Sequence, residues 1–188
     1  IIKNFMSKRY IKGIIEPDPS RVTSRATLLM YGDRGVGKST IAEALASQDQ
    51  KENHHNVSTL GYRIIDTIVP MDGNEWVKMK IYDAGGSNEY LSLLPTPKED
   101  DFVVIVFSMT SSRSLVQASA LLKAIRKNGR VNLLVGTHID CFDKFSLTIQ
   151  DIQGFSSDYD IPVILINATA PLKSKMSVYS MLETLYKH

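Results

Sequence analysis

Nine residues, Gly32-Asp33-Arg34-Gly35-Val36-Gly37-Lys38-Ser39-Thr40, carry the strongest chemical signal in the chain. They fit the pattern G-x-x-x-x-G-K-[ST] at every fixed position. Glycines at 32, 35 and 37 permit backbone angles and close approaches that a Cβ would forbid, so successive N–H groups can turn inward around polyphosphate oxygens. Lys38 then reaches the outer phosphates. The Ser39 hydroxyl stands where a Mg²⁺ bridging those phosphates would sit, and the following helix directs its positive end at the anion. Asp33, Arg34, Gly35, Val36, Gly37, Lys38, Ser39 and Thr40 are therefore the expected phosphate-binding residues.

Two further carboxylates lie at places where chemistry is expected. Asp83 follows an apolar stretch and precedes Gly85-Gly86; in phosphate-loop nucleotidases an acid there helps hold Mg²⁺, commonly through its water shell, and a glycine N–H two or three residues on, here Gly86, can sense the terminal phosphate. Thr59, in the loop before, can offer a hydroxyl to the metal once a third phosphate is present. Loops held by that phosphate and released on its loss make a binary switch. Asp140 is the candidate for reading a base: a carboxylate accepts two adjacent N–H donors, which guanine presents and adenine does not. The Ala168 N–H can add a contact to the guanine 6-oxo group, with Thr169 beside it. Lys38, Thr59 and Gly86 are the expected catalytic set, and Ser39, Thr59 and Asp83 the expected metal set.

The elements that must position these groups follow from the hydrophobic pattern. The short apolar run 26–31 precedes the loop, and Ile41 to Ala46 is rich in helix formers. Residues 62–69 and 76–82 each alternate as strands, joined by a turn containing Asp72-Gly73, and the second delivers Asp83 to a loop. A short helix is expected over Ser87–Leu94. Residues 102–107 and 131–136 are continuously apolar, as in strands buried on both faces of a parallel sheet. Leu115, Ala118, Leu121, Leu122 and Ile125 mark a helix; 146–155 has weaker helical character; 162–166 is a strand, and a last helix is expected over about 173–187. The predicted architecture is α/β, a mostly parallel six-stranded sheet with helices on both faces and one antiparallel hairpin strand. Every candidate group falls at a strand's carboxyl end, where such sheets bind ligands.

Composition bounds the remainder. With 188 residues, 43% of them hydrophobic, one core is expected, in a domain spanning 26–188 after an extension or linker over 1–25. A net charge of +2 implies neither nucleic acid nor a membrane surface, and a single cysteine, Cys141, suits a reducing compartment. The expected location is cytoplasmic or the cytosolic face of a membrane. Membrane contact is expected only through the basic arm Lys3, Lys8, Arg9 and Lys12 or through termini missing from a chain that opens on Ile1.

These segments, in this order, resemble the Ras-like small GTPase superfamily of P-loop proteins over about residues 26–187. Residues 32–39 look like a Rab-type phosphate loop, Thr59-Leu60-Gly61 like the start of switch I, and Asp83-Ala84-Gly85-Gly86 like that of switch II. Thr137-His138-Ile139-Asp140 stands in the place of the N-K-x-D base motif, and Asn167-Ala168-Thr169 in that of S-A-K. The base segment is closer to the G-T-x-x-D form of Roc domains and of yeast septation and mitotic-exit GTPases. The resemblance implies a signalling hydrolase that binds GTP/GDP with Mg²⁺, and protein effectors or regulators engaging loops 50–61 and 84–97. Ser87 replaces the glutamine that orients the attacking water, so slow hydrolysis is expected. Thr137 and His138 replace the asparagine that ties the base loop to the phosphate loop and the lysine that covers the base. Affinity for guanine nucleotide is accordingly expected to be about 1–2 kcal/mol lower. The alternative is a pseudo-GTPase interaction module, a structural subunit that has kept or lost its nucleotide.

Overall fold

The computed structural model describes residues 20, 22–46, 61–70, 76–87, 89, 92–127, 129–167, 180–182 and 184–185. Six strands, β1 (Val22–Gly32), β2 (Tyr62–Pro70), β3 (Trp76–Ala84), β4 (Phe102–Ser108), β5 (Leu133–Thr137) and β6 (Val163–Leu165), form one sheet in the order β2-β3-β1-β4-β5-β6. β2 runs antiparallel to β3, and the other pairings are parallel. The longer helices among the described residues are α1 (Lys38–Ala46), α2 (Ser112–Ile125) and α3 (Ile149–Tyr159), and residues 180–182 and 184–185 are also helical.

Alternation along the central strands divides the core into two layers. Leu28, Met30, Met79, Ile81, Val104, Val106, Leu133 and Val135 point to one face, where Ile41, Ala42 and Leu45 of α1 cover them together with Met181, Leu182 and Leu185 from the carboxyl end. Leu29, Tyr31, Val103, Ile105, Phe107 and Leu134 point to the other, under Ala118 and Leu122 of α2 and Ile152 of α3. β1 and β4 are apolar on both faces because both faces carry helices. The predicted two-sided sheet with one antiparallel hairpin strand is the observed one.

Several boundaries differ from the sequence reading. β1 begins at Val22 rather than residue 26, since the polar segment Thr23-Ser24-Arg25 gains its backbone partners from β3, with Arg25 opposite Lys78. β3 runs on through Asp83 and Ala84, which pair with Arg63 and Tyr62, so Asp83 sits in a strand and not in the loop. The weakly helical segment is a helix, α3, fixed by a capping box: Thr148 Oγ1 accepts from the Asp151 N–H and Asp151 Oδ2 from the Thr148 N–H. Its end is set by Asp160 in the left-handed conformation. Of the short helix expected over Ser87–Leu94, Glu89 is helical and Ser92-Leu93 form a turn; Asn88, Tyr90 and Leu91 lie outside the described residues. So do the 71–75 turn, most of the last helix and the expected extension up to Pro19.

Candidate functional site

The loop after β1 is shaped by three glycines at positive φ: Gly32 at 147°, Gly35 at 75° and Gly37 at 93°. At Gly32 the requirement is steric as well, because a Cβ there would lie 2.3 Å from the Val106 carbonyl oxygen of β4. The loop folds back over the start of α1, whose first residue is Lys38. Only 5% exposed, Lys38 donates from Nζ to the Gly32 carbonyl at 2.9 Å and the Asp33 carbonyl at 2.8 Å. Burial pushes its pKa down to about 8, although Asp83 and Asp33 pull the other way. An amine that burial makes costly to charge, at the mouth of a helix, is prepared for an anion.

Asp83 is fully buried beside it. Its Oδ2 accepts from Arg63 Nε at 2.8 Å, while Oδ1 has no hydrogen-bond partner among the described residues. Arg63 continues to Glu43 of α1, Nη2 to Oε1 at 2.7 Å. Burial works against the guanidinium, but the carboxylates of Glu43 and Asp83 outweigh it and hold the charge. Gly86 packs on the phosphate loop: a Cβ on it would lie 2.1 Å from the Arg34 nitrogen and 2.3 Å from the Asp33 carbonyl carbon. Ser87 and Arg34 are exposed. Asp33 accepts the Arg34 N–H on Oδ1 at 2.7 Å, which braces the loop's first turn.

The base segment comes to the same end of the sheet. Thr137, the last residue of β5, is 1% exposed, and its hydroxyl donates to the Val36 carbonyl at 2.7 Å, with the Phe107 carbonyl at 3.1 Å as its other acceptor. The tie from base segment to phosphate loop, expected to be lost without asparagine, is therefore made by threonine. His138 adopts φ 57°, and its Nδ1 lies 2.9 Å from Ser108 Oγ and 3.0 Å from Thr137 Oγ1. A backbone turn from His138 to Cys141 presents Asp140 at the surface. Thr59, Ala168 and Thr169 lie outside the described residues.

Three participants escaped the sequence reading: Arg63, Glu43 and Ser108. For Arg63 a signal existed, since it shares the inward row of β2 with Ile65, Thr67 and Val69, where a charge requires a partner. A cavity of about 760 Å³ between Arg126, Arg130, Asn132 and Asp160 opens at the opposite end of the sheet, by the strands' amino ends, away from all these groups.

A mostly parallel sheet with a glycine loop feeding a helix, a buried acid at the end of the neighbouring strand and a turn after β5 defines a P-loop nucleotide-binding protein of the α/β class. The family model described as "Ras family" matches residues 27–187, and the chain belongs to that family of Ras-like small GTPases. The chain is 30% identical over 123 residues to GTP-binding protein ypt5 of Schizosaccharomyces pombe, covering 63% of this chain and 57% of that one. It is 28% identical over 137 residues to Ras-related protein Rab5 of Nicotiana tabacum, 71% of this chain and 67% of the other. It is 29% identical over 136 residues to an intraflagellar transport protein 27 homolog of Trypanosoma brucei brucei, 71% and 73%.

Proposed function

We propose that this chain is a guanine-nucleotide switch that holds GTP or GDP with Mg²⁺ and hydrolyses GTP slowly. The observation that carries this reading is the buried Lys38 amine, held by carbonyls of the Gly32–Gly37 loop next to a buried carboxylate with one open oxygen. On nucleotide binding, Nζ exchanges the Gly32 and Asp33 carbonyls for phosphate oxygens, and the N–H groups of residues 33–40 surround the anion. Asp140 selects guanine through its paired N–H groups, with His138 packed at the base and Ala168 and Thr169 completing the edge.

The residues present fit a hydrated divalent ion. Asp83 Oδ1 is a buried acceptor with no donor among the described residues, and a hydrated divalent cation held there would supply one. Ser39 and Thr59 would complete its protein ligands, and Mg²⁺ bound there offsets charge developing on the phosphates. Gly86 packs on the loop at Asp33-Arg34; in this reading its N–H donates to a third phosphate and so couples residues 84–97 to the nucleotide state. With Thr59 coupling 50–61 in the same way, both segments become surfaces for effectors and regulators. Exposed Ser87 is too short to hold an attacking water as glutamine does, which supports slow turnover and keeps a pseudo-GTPase module as the second reading.

We place the switch in a domain of residues 26–188 preceded by an extension, acting in the cytoplasm or on the cytosolic face of a membrane. Among the described residues no helix is long and apolar enough to cross a membrane. The test is equilibrium binding of GDP and GTP in Mg²⁺ together with single-turnover hydrolysis. Binding of both that is abolished in Lys38→Ala, with GTP consumed slowly, is expected. Binding without any turnover, and partner binding identical in the two nucleotide states, would favour the module.

A further inference from the structure

Asp83 already has a cation, and the chain itself supplies it. Along β2, Tyr62, Ile64 and Asp66 face outward, whereas Arg63 points to the inner row. The antiparallel register sets Arg63 directly opposite Asp83, so the shortest path for its side chain runs along the buried carboxylate. Nε donates to Oδ2 at 2.8 Å, and Nη2 donates to Glu43 Oε1 at 2.7 Å while lying 3.5 Å from the Ser39 carbonyl oxygen. One guanidinium thus links β2, β3 and the first turns of α1 around the residues assigned above to the metal.

The electrostatic consequence follows from burial. A fully buried carboxylate is costly unless a positive charge or a donor stands beside it. Lys38 lies near Asp83 but is drawn to the phosphates when nucleotide binds, whereas the Arg63 guanidinium donates directly to Oδ2 and, being part of the chain, does not leave with an ion. It occupies only Oδ2, leaving Oδ1 open. A guanidinium near the ion also repels it, so the metal gains less from Asp83 than it would from a bare carboxylate.

We propose that Arg63 is the resident counter-ion of Asp83, sharing the carboxylate with the metal, and that it makes nucleotide retention weakly dependent on Mg²⁺. The proposal rests on the nucleotide-binding reading and adds to it how the site is regulated. Its measure is the ratio of GDP dissociation constants with EDTA and with excess Mg²⁺, taken on the unmodified chain, Arg63→Gln and Arg63→Lys. Removing Mg²⁺ is expected to weaken GDP by about tenfold or less in the unmodified chain and in Arg63→Lys, and by about a hundredfold or more in Arg63→Gln. Equal ratios in the unmodified chain and Arg63→Gln overturn the proposal while leaving nucleotide binding intact.

Arg63→Gln strands a buried carboxylate and can fail to fold. The unmodified chain then decides alone: a loss of about a thousandfold or more on chelation overturns the proposal, and a loss of about tenfold or less upholds it. A chain that binds GDP under neither condition removes the reading and the proposal together.

Discussion

Lys38 concentrates the site's chemistry in one amine whose ordinary pKa of 10.5 falls to about 8 through burial. The unfolded chain therefore holds a proton that the folded chain has released between those values, so this group's contribution to stability rises with pH across that window. From pH 7 to pH 9 the nucleotide-free chain should gain about 1 kcal/mol relative to Lys38→Met, read as the difference between their denaturation curves. A parallel pH dependence in the two chains would show that the amine is not desolvated. Bound phosphate restores the charge, so affinity for GDP should fall as pH rises above about 8, approaching tenfold per unit.

Thr137 makes a second case at the same scale. Thr137→Val keeps the shape but removes the donor that Val36 accepts, and a buried carbonyl loses its partner. A stability loss of about 1–2 kcal/mol in urea is expected, with GDP affinity weakened because the loop and the base segment are no longer joined. The replacement of asparagine was legible in the sequence. That threonine still reaches the loop was not, because the bond joins residues 101 apart and depends on how closely β5 passes the loop.

At the scale of elements, the glycines determine how strands and loops meet. Gly32→Ala adds a Cβ against Val106 while keeping a φ of 147°, and both effects are unfavourable. A loss of about 3 kcal/mol by chemical denaturation is expected. Gly86→Ala also meets backbone, at buried Gly86 with Arg34 N 2.1 Å from the added Cβ, so the phosphate loop and the loop after β3 must move apart. A loss of about 2–3 kcal/mol by chemical denaturation is expected, with GTP turnover falling further than that loss of folded protein explains. Equal effects on stability and turnover would show that Gly86 is only a packing residue. The strand and helix pattern was readable because apolar alternation is local. The start of β1 and the position of Asp83 were not, as both depend on pairing: Arg25 opposite Lys78, and Asp83 opposite Arg63. Arg63 illustrates the same limit, being an ordinary basic residue until register sets it against a buried acid.

For the whole molecule, the sheet order gathers the candidate residues. β1, β3 and β5 end on one edge and deliver the phosphate loop, Asp83 and Thr137-His138 to a common rim, with Lys38 and Ser39 opening α1 beneath it. Family membership over 27–187 agrees with that arrangement. Identities near 30%, with matches spanning from 57% to 73% of those relatives' lengths, fit a chain that shares their framework while most of its individual residues differ. The central claim is that this rim holds a guanine nucleotide. The most direct measurement denatures the purified protein, identifies the released nucleotide by chromatography, and offers the empty protein GDP, GTP and ATP with Mg²⁺. The account predicts released GDP and uptake of guanine nucleotides at least about a hundredfold tighter than ATP. Protein that is purified empty and takes up neither GDP nor GTP would contradict it.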